Sequence, residues 1–127
     1  MLQLHRLVAE HLSTVAAEFD LKPGQAQALQ QLQPNLPMTM GDVARGIRCD
    51  PSTITGIADR LEERGLVRRE PSEKDRRVKS LVLTKSGEAL RRKLLLRLAD
   101  VPEELARLPE GKQRELRRLL QETLNPS

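Results

Sequence analysis

A change of hydrophobic period at Gly65 constrains the fold of this chain more than any other feature. Before it, Ile54, Ile57, Ala58 and Leu61 form one apolar stripe at helical spacing. Asp50 is a good N-cap, and Pro51 takes the first helical position, where its missing N–H costs nothing. Gly65 stops this helix as a C′ glycine. After Gly65 the pattern alternates, as a strand requires. Leu66-Val67-Arg68-Arg69 starts one strand and Val78-Lys79-Ser80-Leu81-Val82-Leu83 makes a second. The polar run from Glu70 to Arg77 lies between them, so the two strands form an antiparallel β-hairpin with a long charged loop.

The flanks read as helices. Leu4, Leu7, Val8, Leu12, Val15, Ala16 and Phe19 keep helical spacing until Lys22-Pro23-Gly24 breaks it. A short helix from Gln25 to Gln33 ends at Pro34, and Thr39 caps a third that carries Val43, Ala44 and Ile47. The helix capped by Thr39, a tight turn and the capped helix after Asp50 together read as helix-turn-helix. Thr84 caps a longer helix with Leu90, Leu94, Leu95 and Leu98, interrupted by Val101-Pro102. Pro109-Glu110-Gly111 precedes a last helix carrying Leu116, Leu119, Leu120 and Leu124. At 127 residues the length fits a single domain, 1–127.

Charge is unevenly spread. Residues 45–97 hold fifteen Lys and Arg against eight Asp and Glu, whereas both ends are slightly acidic. A basic middle between acidic ends fits a phosphate-facing module flanked by parts with another task. Phe19 is the only aromatic residue, so the stacking platforms of single-strand and RNA binders are missing. A solvated basic surface is the alternative that charge alone leaves open. A helix entering the major groove needs short polar side chains on its exposed N-terminal face, which Ser52, Thr53, Thr55 and Gly56 supply. Threonine methyls can touch a thymine methyl, and the hydroxyls can bond base edges or phosphates. Arg60, Arg64, Arg68 and Arg69 are placed for phosphates, and Asp59 for a local pair with an arginine.

Other functions find little footing. No glycine-rich phosphate loop, nucleophile elbow or carboxylate pair with a cleft is present, so the chain reads as no enzyme. His5 and His11 sit six apart on one helix and do not share a face, which leaves no metal site and no cofactor. The single cysteine, Cys49, is a small core filler, and one cysteine fits a reducing compartment. The N-terminus lacks a signal-peptide layout, and no apolar run reaches the ~20 residues of a membrane span. A cytoplasmic protein with no membrane contact is the expectation. A winged-helix protein-interaction module without specific DNA binding is the alternative, against which the basic hairpin and polar helix face both argue.

The hairpin Asp75-Arg76-Arg77-Val78-Lys79-Ser80-Leu81-Val82-Leu83-Thr84 pairs an Asp and an Arg two apart with a following Leu-Thr. Together with Asp50-Pro51-Ser52-Thr53-Ile54-Thr55 and the run Asp59 to Val67, it resembles the MarR family of winged-helix transcriptional regulators, from about Leu21 to Leu98. The resemblance implies a mainly α fold with a small antiparallel β-hairpin, a winged helix-turn-helix flanked by dimerisation helices. Residues 21–99 would form the DNA-binding lobe, with 1–20 and 100–127 as the dimerisation helices. It implies a homodimeric repressor on a palindromic operator, released by a small-molecule effector. Leu4, Leu7, Leu12, Leu116, Leu119, Leu120 and Leu124 would then lie in the dimer interface. In the hairpin, Arg77 would enter the minor groove, braced by Asp75, while Lys74 and Arg76 hold phosphates. Narrow A·T-rich grooves attract arginine, so the operator should favour A·T beneath the hairpin. Family members often carry a basic side chain where this chain has Gly56, which removes one contact.

Overall fold

Cap chemistry sets the helix starts. The computed structural model describes residues 2–100 and 107–124, with side chains described over 5–100 and 107–119. Among these residues run helix α1 (Leu2–Glu18), α2 (Pro23–Gln31), strand β1 (Met38–Thr39), α3 (Met40–Ile47), α4 (Pro51–Glu63), β2 (Val67–Pro71), β3 (Lys79–Leu83), α5 (Lys85–Ala99) and α6 (Glu110–Leu124). Thr39 accepts from the Asp42 amide at 3.1 Å, Asp50 from Thr53 at 2.7 Å and Thr84 from Gly87 at 3.0 Å. Each thereby satisfies one orphan donor of a first turn. Pro23 begins α2 where a break followed by a start at Gln25 was expected. Proline at N1 is compatible with both readings of the sequence.

Helix ends share one device. After α1, Leu21 N–H donates to Ala16 O at 2.9 Å and Asp20 N–H to Ala17 O at 3.0 Å. The same double bond pattern closes α3 at Arg48 and Cys49, and α4 at Gly65 and Leu66. It requires a left-handed residue, and the three occupants are Asp20 (φ 57), Arg48 (φ 57) and Gly65 (φ 70). Only glycine enters that region without steric cost.

The hairpin is part of a three-stranded antiparallel sheet in the order β1-β3-β2. Thr39 pairs with Ser80, and Val67 to Pro71 pair with Leu83 to Lys79. The two-strand expectation is thus extended. A two-residue strand is too short to show alternation, and β3 is buried along Ser80–Leu83 because neighbours flank it on both edges. Glu70 and Pro71, read from sequence as loop, belong to β2.

One apolar cluster joins α1 to α5 and the sheet, from Leu12 and Val15 through Leu29, Leu32, Val43, Ile54 and Leu61 to Leu81, Leu94 and Leu98. Gly87 makes the joint between sheet and α5 possible: an added Cβ would lie 1.9 Å from the Leu66 carbonyl oxygen. His11 is buried in the α1–α5 contact with its ring Nε2 3.1 Å from Leu98 O, and Arg97 on α5 donates to both carboxylate oxygens of Glu18 at 2.7 and 2.9 Å. A second, smaller cluster gathers Leu116 of α6 with Leu7, Val8, Leu108 and Leu119. No helix among the described residues is long and apolar enough to cross a membrane.

Candidate nucleic-acid interface

Helix α4 turns Ile54, Ala58 and Leu61 into the core, which leaves Ser52, Thr53, Thr55, Gly56, Asp59 and Arg60 exposed. The first turn is knitted to Asp50. Its carboxylate takes the Thr53 amide and the Ser52 hydroxyl, the latter at 2.8 Å. The amide of Thr53, then the hydroxyls of Thr53 and Ser52, hold the Asp50 carboxyl below the ordinary carboxylate range. Thr55 donates its hydroxyl to Pro51 O at 2.9 Å. Nothing stands within 4 Å of the place a Cβ on Gly56 would occupy.

The four arginines expected at phosphates divide into two kinds. Among the described residues Arg60 has no ion-pair partner, and Arg68 makes only a loose exposed contact of 3.8 Å with Glu70. Arg64 instead donates to the carbonyls of Asp20 at 2.9 Å and Phe19 at 3.1 Å, tying the end of α4 to the end of α1. Arg69 on β2 binds the carboxylate of Asp59 and lies 3.8 Å from that of Glu62, whose other oxygen accepts the Arg69 amide at 3.3 Å. Asp59 thus has the arginine partner its position suggested. Because Asp59 shares the exposed stripe of α4 with Ser52 and Gly56, this cluster joins the root of the wing to the outward face of the helix.

At the wing tip Asp75 accepts the Arg77 amide at 3.0 Å and lies 3.3 Å from Arg77 Nε. The Arg77 side chain is nonetheless 92% exposed, and Lys74 and Arg76 are exposed beside it. An open cleft of about 360 Å³ runs between Asp20–Gln25 and the Arg60–Arg64 end of α4. Cys49 is half-buried against the core, and burial first, then Asp50, pushes its thiol upward in pKa.

The leucines expected between subunits are placed variously. Leu12 and Leu116 are already covered within the chain, Leu7 and Leu119 are half-buried, and the side chains of Leu4, Leu120 and Leu124 lie outside the described residues. Sequence reasoning missed Arg91, whose guanidinium donates to the carbonyls of Leu29 and Gln30 at 3.1 and 3.3 Å and closes the end of α2. No local signal marks it, because its partners lie some sixty residues away in sequence.

A family model described as the MarR family matches residues 21–79, from the end of the α1–α2 turn to the first residue of β3. A Bacillus subtilis HTH-type transcriptional regulator, YwoH, is 32% identical over 103 residues, covering 81% of this chain and 74% of that protein. The chain belongs to the MarR family. It is accordingly a winged-helix, DNA-binding transcriptional regulator and not an enzyme. A second B. subtilis relative, the HTH-type transcriptional repressor MdtR, is 36% identical over 66 residues, which are 52% of this chain and 43% of MdtR. The chain therefore matches less than half the length of that relative. The fold is also similar to that of a MarR-family regulator from Rhodococcus sp. RHA1, with a TM-score of 0.77, 25% identity and coverage of 98% of this chain and 89% of that one.

Proposed function

We propose that this chain is a homodimeric repressor that blocks transcription by holding a palindromic duplex operator. Helix α4 enters the major groove with Ser52, Thr53, Thr55 and Gly56 against the bases. The wing lies over the adjacent minor groove, with Arg77 inserted and Lys74 and Arg76 on phosphates. Arg60 and Arg68 serve phosphates, whereas Arg64 and Arg69 act as positioning residues that hold α4 and the wing root. Residues 21–99 form the DNA-binding lobe, and 1–20 with 100–127 pair two subunits. Half-sites then lie about one helical turn, ~10 bp, apart.

The Asp59–Arg69–Glu62 cluster carries this reading, since it fixes the wing to the very face of α4 that is left bare. A groove-reading helix and a minor-groove arm must keep one relative placement to fit one duplex. MdtR, a repressor by name, supports the sign of regulation. Release by a small-molecule effector is supported by the cleft beside Arg60 and Arg64, where a ligand would touch both the α1–α2 turn and the recognition helix.

Selection from a random-sequence duplex pool, followed by binding across a salt series, tests the proposal. Enrichment of a palindrome, with affinity falling steeply as salt rises, is the expected result. Weak binding with no enriched sequence would reduce the interaction to non-specific charge attraction and end the operator reading.

A further inference from the structure

The exposed stripe of α4 looks polar in sequence, but its hydroxyls are used internally. Thr55 spends its only O–H on the carbonyl of Pro51, four residues back, at 2.9 Å. On this exposed residue the γ-methyl is the part of the side chain left to meet a partner. Ser52, one turn earlier, spends its proton on Asp50 at 2.8 Å, and Asp59, one turn later, is paired with Arg69. Beside Thr55, Gly56 carries no side chain and has open space around it, so nothing holds a base away from that methyl.

Base edges respond differently to such a surface. In the major groove, guanine offers two acceptors, N7 and O6, which call for a donor. A threonine hydroxyl already donating elsewhere cannot supply one. Cytosine offers an amine and no methyl, whereas thymine offers a C5-methyl to which an apolar group can pack.

We propose that Thr55 is a specificity-determining residue whose γ-methyl packs on the C5-methyl of one thymine in each half-site, with Gly56 allowing the approach. The inference rests on α4 lying in the major groove as proposed above, and it adds the base class that this turn of the helix selects.

Uracil scanning tests it. Each thymine of the selected operator is replaced singly by deoxyuridine, which keeps every base-pairing hydrogen bond and removes only the methyl. Fluorescence anisotropy then gives affinities for the full-length protein. One thymine per half-site should lose about fourfold on replacement, the worth of one buried methyl-sized group. Thr55→Val keeps the methyl and should keep that sensitivity. Thr55→Ser keeps the hydroxyl bond to Pro51 and should lose it, binding thymine and uracil operators equally. The proposal is overturned by a parent protein indifferent to uracil at every position, or by a Thr55→Ser variant as sensitive as the parent. If the pool yields no operator at all, the groove placement of α4 falls and this inference with it, a failure visible before any uracil is introduced.

Discussion

Asp50 caps α4 and also fixes where the first-turn hydroxyls point, so one carboxylate organises both the start of the helix and its outward face. The Thr53 amide, followed by the Thr53 and Ser52 hydroxyls, lowers its pKa below the ordinary value of 3.8. A carboxyl with a depressed folded pKa contributes stability above its unfolded pKa and loses that contribution as pH falls through the folded value. Asp50→Ala should therefore melt at a lower temperature than the parent at neutral pH. The gap should close under acid, below pH 3.8. Paired thermal melts over a pH series check this, and a gap that stays constant into acid would deny Asp50 its capping role. At the wing the balance is reversed. Among the described residues Arg77 pairs with Asp75 alone, and its side chain is 92% exposed, so Arg77→Ala should leave the melting temperature unchanged. Operator affinity should fall about tenfold or more, within the usual range for one base-contacting arginine. A variant that binds like the parent would remove the wing from the interface.

At the scale of elements, two glycines make opposite predictions for the same substitution. Gly56 lies mid-helix with open space around it, so Gly56→Ala should stabilise the fold by about 1 kcal/mol through helix propensity. Gly87 packs against the Leu66 carbonyl, a backbone atom that cannot step aside, so Gly87→Ala should cost about 2 kcal/mol through overpacking. Urea titrations of both variants read the two signs directly, and equal shifts would refute the packing seen at the α5 start.

The same elements show what was legible in the sequence. Starts were readable because Thr39, Asp50 and Thr84 are capping residue types, each followed by a helical stripe. Of the three left-handed stops only Gly65 could be seen, since Asp20 and Arg48 take that conformation against their own preference. β1 was invisible because two residues carry no period. In the candidate interface, the exposure of the α4 and hairpin residues followed from stripe and charge. The division of the arginines did not, because Arg64 meets backbone carbonyls 44 and 45 residues away and no pattern within α4 encodes that.

The palindrome proposed above requires two lobes, and in that proposal the terminal helices pair them. Leu120 follows Leu116 and Leu119 on α6, the helix whose inner side already packs on Leu7 and Val8. Leu120→Asp should convert a dimer into a monomer in sedimentation equilibrium, and an unchanged mass would count against α6 as the interface. The division of the arginines has its own consequence for the assembled complex. Each phosphate neutralised by a cation contributes about 0.9 to the slope of log affinity against log salt. Arg60 and Arg64 stand one helical turn apart with equal charge, but only Arg64 is tied to the Phe19 and Asp20 carbonyls. Two copies of Arg60→Met should lower the salt slope of the dimer by about 2 while leaving the melting temperature in place. Arg64→Met should do the opposite, lowering the melting temperature because the α4–α1 tie is lost, with the slope unchanged. Slopes that move together would mean both arginines face the phosphates, and the tie to Phe19 and Asp20 would then have to break when DNA binds.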